Sequence, residues 1–103
     1  QQTLGIILPM ETFIVNLADE GGKRYLRVTM DLELAQGTSE DDLKKRLPQM
    51  RDSILMVLPS KHFEEIRTVE GKTSLRNEII ANLNGLFDQE RITNIYFTEF
   101  VVQ

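Results

Sequence analysis

The sequence predicts an α+β domain in which an antiparallel hairpin and a C-terminal strand form a small sheet, covered by two longer helices and one short helix. Three observations carry that expectation. From Arg24 to Leu34, the residues Leu26, Val28, Met30, Leu32 and Leu34 alternate with Arg27, Thr29, Asp31 and Glu33 without a slip. From Leu43 onward, apolar residues recur at steps of three and four. From Ile92 to Val102, β-branched and aromatic residues crowd together again. A period of two marks a strand and a period near 3.6 marks a helix. Amphipathic helices laid on one face of a mainly antiparallel sheet bury every one of these apolar faces.

Taken in order, Leu4 to Leu8 is a short apolar patch closed by Pro9, read as an extended lead-in. Thr12–Leu17 alternates, with Phe13, Val15 and Leu17 on one face, and is the first strand of the hairpin. Gly21 and Gly22 supply the positive φ that its turn needs. Arg24–Leu34 is the second strand. Burial of each large apolar side chain there is worth roughly 1.5–3 kcal/mol, and a one-residue slip would expose them all.

Gln36–Ser39 ends that strand, and Thr38 or Ser39 can cap a helix with Asp41 or Asp42 at its third position. Leu43, Leu47, Met50, Ile54, Val57 and Leu58 then share a helical face. Pro48 interrupts it and either kinks one helix or starts a second; a single kinked helix is the expectation. After Pro59, Ser60 is expected to cap a short turn through His62, Phe63 and Ile66. Thr68 can cap a further helix with Leu75, Ile79, Leu83 and Leu86 as its buried stripe. Ile92–Val102 is the last strand and must pair with the hairpin, because a lone apolar strand would be an aggregation-prone edge.

The totals bound the function. With 103 residues the chain is one domain with a modest core. A net charge of -4 and a pI near 5.0 give no general attraction to phosphate backbones, so nucleic acid is not an expected partner. There is no cysteine, hence no disulfide, thiolate metal site or thiol nucleophile. No apolar run reaches the roughly 20 residues that span a bilayer. The chain opens on Gln1, and an anchor or signal upstream is expected.

Catalytic candidates are few. His62 is the single histidine, with no second histidine to share a metal. Asp41–Asp42 and Glu64–Glu65 are adjacent pairs, which splay apart on a helix instead of converging. Gly71-Lys72-Thr73 imitates the end of a phosphate-binding loop, but Ile66 stands where that loop needs a glycine. Ser39, Ser53, Ser60 and Ser74 lack glycine-flanked nucleophile turns. No enzyme, cofactor or metal site is expected.

Several stretches carry a family resemblance. Phe13–Asp19 and Arg24–Leu34 resemble the opening hairpin of the flagellar basal-body-associated FliL family. The likeness continues through Leu47–Leu55, Glu70-Gly71-Lys72 and Leu75-Arg76, and closes on Ile95–Gln103. Pro59 departs from the pattern, where a small polar residue is expected. The resemblance implies a single-pass inner-membrane protein whose periplasmic domain is this chain. Residues 1–11 would be a membrane-proximal linker and 12–103 one domain similar to the stomatin/prohibitin scaffold. It further implies a non-enzymatic scaffold that forms rings around the flagellar stator and supports torque. Ile6, Ile7 and Leu8 are the expected partner-docking residues. A general stomatin-like membrane scaffold with another client, and a small enzyme or ligand-binding domain, are the competing expectations.

Overall fold

The computed structural model describes residues 5–103. Leu4 of the expected lead-in lies outside them. Strands β1 (Ile7–Pro9), β2 (Phe13–Asn16), β3 (Tyr25–Leu34) and β4 (Ile92–Val102) make one antiparallel sheet. Helices α1 (Glu40–Lys44), α2 (Leu47–Val57), α3 (Phe63–Ile66) and α4 (Val69–Asn84) lie between β3 and β4 in sequence. The α+β expectation holds, with a fourth strand added by the lead-in. β3 is the spine: β1 pairs with its C-terminal half, β2 with its N-terminal half and β4 with its whole length.

The unbroken alternation of β3 explains that position. Leu26, Val28, Met30, Leu32 and Leu34 are all buried and meet the helices. Met50, Ile54 and Val57 of α2 and Leu75, Ile79 and Leu83 of α4 cover them. β4 also feeds this core, yet its sequence does not alternate. Register shifts at Thr29/Met30 and Glu33/Leu34 leave Thr98 and Thr93 as extra residues. Each bulge resets the phase, so Ile92, Ile95, Phe97, Phe100 and Val102 all turn toward the core. The bulged threonines stay satisfied, because Thr93 Oγ1 donates to the Glu33 carbonyl and Thr98 Oγ1 to that of Thr29.

The β2–β3 connection is a short 3-10 turn, Glu20–Gly22, with Gly21 and Gly22 at φ 80° and 58°. Three expectations need correction. Pro48 does not kink a single helix; it sits in the first turn of α2, where its missing N–H costs nothing, and α1 is a separate turn. The residue before α3 is His62, with the Glu65 carboxylate accepting from its N–H at 2.7 Å; Ser60 instead donates to the Val57 carbonyl. Leu86 is not in the buried stripe, because α4 ends at Asn84 and Leu86 stands exposed beyond it. Ser39 and Thr68 cap α1 and α4 as expected, accepting from Asp42 N and Gly71 N.

Candidate interaction surface

The helices cover one face of the sheet, and the opposite face carries the second register of every strand. On β3 these are Tyr25, Arg27, Thr29, Asp31 and Glu33. Pairing places Ile14 and Val101 on either side of Arg27, Pro9 and Tyr96 on either side of Asp31, and Ile7 and Asn94 on either side of Glu33. Ile14 is 62% exposed, and Tyr25, Ile7, Tyr96 and Val101 are each between 40% and 48% exposed. Five of the large apolar side chains that the fold leaves open therefore share one sheet face. Clustered exposed apolar groups mark contact surfaces, whereas scattered ones do not.

A polar seam runs through this face. Thr29 Oγ1 donates to Glu99 at 3.1 Å and shares a 2.7 Å hydrogen bond with Thr12. Arg27 Nη1 lies 3.8 Å from Glu99, an exposed pair worth about 0–1 kcal/mol. Tyr96 donates its phenolic hydrogen to Glu33 Oε1 at 2.5 Å, while Gly5 N–H donates to Glu33 Oε2 at 3.3 Å. The hydrogen bond to Glu33 holds the Tyr96 hydroxyl above its ordinary pKa, with burial and the Glu33 charge acting the same way. Glu33 thus joins the N-terminal lead-in to β4 across the spine strand.

The lead-in residues part company. Ile6 and Ile7 are exposed, Ile6 at the sheet's end and Ile7 on its open face. Leu8 turns the other way: it is 3% exposed and belongs to the core cluster. With Met10, Leu47 and Arg51 it lines an open groove between β1 and the α1–α2 bend. The open-face residues Ile14, Tyr25, Tyr96 and Val101 were not among the expected docking residues. Ile14 was legible, since it falls out of phase with Phe13, Val15 and Leu17. Tyr96 and Val101 were hidden by the β4 bulges.

The titratable residues serve local structure. Glu65 accepts from His62 N–H at 2.7 Å and lies 3.3 Å from His62 Nδ1, closing the first turn of α3. The backbone bond, then the side-chain bond, hold the Glu65 carboxyl below its ordinary value. Glu64 pairs with Arg67, Lys61 with Glu78, and Asp88 with Arg91. No group of three or more histidine, aspartate or glutamate side chains gathers as a metal site among the described residues. Gly71 stands inside the first turn of α4, where an added Cβ would come within 1.8 Å of the Glu65 carbonyl oxygen. Its glycine is explained by that close approach of α3 and α4.

Comparison with known proteins supplies context for this surface. A family model described as "Flagellar basal body-associated protein FliL" matches residues 7–103. The chain is 38% identical over 101 residues to a protein of Aquifex aeolicus (strain VF5) named "Flagellar protein FliL", covering 97% of this chain and 63% of the relative. Proteins of the same name match from Bacillus subtilis (strain 168), at 24% over 94 residues, and Escherichia coli (strain K12), at 26% over 102 residues. Those two matches cover 91% and 95% of this chain and 65% of each relative. The chain thus spans a little under two thirds of the length of these relatives. No helix among the described residues is long and apolar enough to cross a membrane.

Proposed function

Because this chain belongs to the flagellar basal body-associated FliL family, we propose that it is the periplasmic domain of a non-enzymatic scaffold of the flagellar motor. In this reading the domain hangs from an inner-membrane helix that precedes residues 1–11, self-associates into a ring, and braces the stator in its active form. The observation that carries it is the extent of the match: residues 7–103 take in all four strands and all four helices.

The side-chain chemistry supports a contact role. His62, Glu64, Glu65 and Asp88 are engaged in caps and local pairs, while Ile7, Ile14, Tyr25, Tyr96 and Val101 stand open on one face. Ile6 and Ile7 are the lead-in residues available to a partner, and Leu8 contributes to the neighbouring groove. Ring closure requires a head-to-tail contact whose rotation closes. Tethering in a membrane raises the effective concentration, so a weakly associating domain in solution is compatible with a ring in the cell.

The test uses the full-length protein in its native membrane, with residues 12–103 deleted and the anchor retained. Loss of swimming under load together with loss of stator co-purification is expected. Normal motility with an unbound stator would remove the stator role and direct attention to a different membrane client.

A further inference from the structure

The sheet has two outer edges, and the protein treats them differently. The β1–β2 edge is blunted. Pro9 has no N–H to offer, the Glu11 carbonyl accepts from Arg51 Nη1 at 2.9 Å, and Ala18 N–H donates to the Lys61 carbonyl at 2.8 Å.

The β4 edge is guarded at its N-terminal end alone, where Asn84 holds the main chain of Ile92 and Asn94 Oδ1 accepts from Ile95 N–H at 2.8 Å. Met10 N–H to Met30 O and Leu34 N–H to Ile6 O show that the even-numbered residues of β3 bond toward β1. Its odd-numbered residues therefore bond toward β4, as the two 2.9 Å bonds exchanged by Tyr25 and Gln103 confirm. The same alternation turns the main-chain groups of Phe97, Phe100 and Val102 away from β3, onto an edge with no strand beside it among the described residues. Exposed edges of this kind are templates for pairing with another chain.

Beside this edge runs the first half of α4. Val69, Lys72, Thr73 and Arg76 line a groove against Tyr96 and Phe97. Val69 is 77% exposed. Lys72 Nζ lies 4.9 Å from the centre of the Phe100 ring, which meets Phe97 edge to face at 5.4 Å. Neither Lys72 nor Arg76 has an ion-pair partner among the described residues, although the chain carries net negative charge. One helical turn apart, they set two positive charges with no carboxylate partner along a groove with an apolar floor, Lys72 also donating to the Arg67 carbonyl at 3.1 Å.

We infer that the β4 edge and the α4 groove together receive an extended acidic segment of a partner protein, which adds to the sheet as a further strand. Main-chain bonds to Phe97, Phe100 and Val102 hold the segment, its aliphatic side chains pack against Val69 and Phe97, and its carboxylates meet Lys72 and Arg76. Backbone pairing supplies affinity in such strand addition, and side-chain pockets and charges select the sequence.

The test is an NMR titration of the 103-residue chain with a synthetic peptide about nine residues long in which valine and glutamate take turns on one strand face and threonine fills the other. Shifts are expected at the amides of Phe97, Phe100, Val102, Lys72 and Arg76. A valine–lysine peptide should bind about tenfold more weakly, and the Lys72→Glu, Arg76→Glu double variant should reverse that preference. N-methylation of alternate peptide residues, which leaves the protein untouched, should abolish binding. The inference is overturned by shifts confined to the β1–β2 edge, by equal binding of both peptides, or by undiminished binding of the N-methylated peptide. It also fails if excess peptide produces no shift. Concentration-dependent shifts of the β4 amides without peptide would overturn it too, by giving the edge to a second copy of the chain.

Discussion

The side chain of Asn84, the last residue of α4, holds both main-chain groups of Ile92, the first residue of β4. Its Oδ1 accepts from Ile92 N–H at 2.8 Å and from Arg91 N–H at 2.9 Å, and its Nδ2 donates to the Ile92 carbonyl at 2.9 Å. Ile92 is fully buried, so water cannot readily replace these bonds. Asn84→Ala should cost about 3 kcal/mol, because unpaired buried polar groups carry their full desolvation penalty. Asn84→Asp keeps both acceptor bonds, loses the donor, and should cost about 1–2 kcal/mol. Urea unfolding checks the order; equal stabilities for the three proteins would remove Asn84 as the junction's pin.

Gly71 reverses an ordinary propensity argument. Replacing a helix-interior glycine by alanine usually stabilises by about 1 kcal/mol. Here the added methyl would meet the Glu65 carbonyl carbon at 2.8 Å and its oxygen closer still, both main-chain atoms that cannot swing aside. Gly71→Ala should therefore destabilise, by about 1–3 kcal/mol, through separation of α3 from α4. A stabilised variant in thermal unfolding would show that the two helices do not approach so closely.

The legible parts of the fold are those where one period runs unbroken. β3 was readable residue by residue, because no bulge interrupts its ten residues. β4 was recognisable from composition alone: its bulges at Thr93 and Thr98 shift the phase, so which aromatic residues face the core could not be read from alternation. β1 reads from sequence only as an extended lead-in, because three residues ending in proline carry no period at all. Pro48 was ambiguous for a physical reason, since proline is compatible with both a kink and a first turn. On the open face, strand alternation alone turns Ile14 and Tyr25 away from the core. The placement of Tyr96 and Val101, along with the Asn84 pin and the β4 edge, depends on contacts between residues far apart in sequence.

Acid should loosen α3 before the rest of the domain. The Glu65 carboxyl is held below its usual value of 4.5, first by the His62 N–H and next by the His62 ring. A carboxylate whose pKa is lower folded than unfolded adds stability that is fully present above the unfolded value and drains away as pH falls through the folded one. Protection factors at Glu65 and Ile66, taken against the intrinsic exchange rate at each pH, should therefore fall on acidification below about pH 4.5, and Glu65→Gln should flatten the profile. Superimposable profiles for the two proteins would show that this cap contributes nothing to the local stability.

The lead-in offers a clean separation of folding from contact. Leu8 is buried beneath the sheet and Ile7, its neighbour, is 43% exposed on the open face. Leu8→Ala should cost about 2–5 kcal/mol, so loss of motility in that variant would report unfolding and not a lost partner. Ile7→Ala should change stability by less than about 1 kcal/mol. An Ile6→Asp, Ile7→Asp double variant should likewise fold, because both side chains lie at the surface, yet it places charge where an apolar partner would rest. Urea midpoints measured beside swimming speed under load distinguish the cases. A stably folded double variant that swims normally would exclude Ile6 and Ile7 from the partner contact and leave the remaining open-face residues, Ile14, Tyr25, Tyr96 and Val101, to carry it.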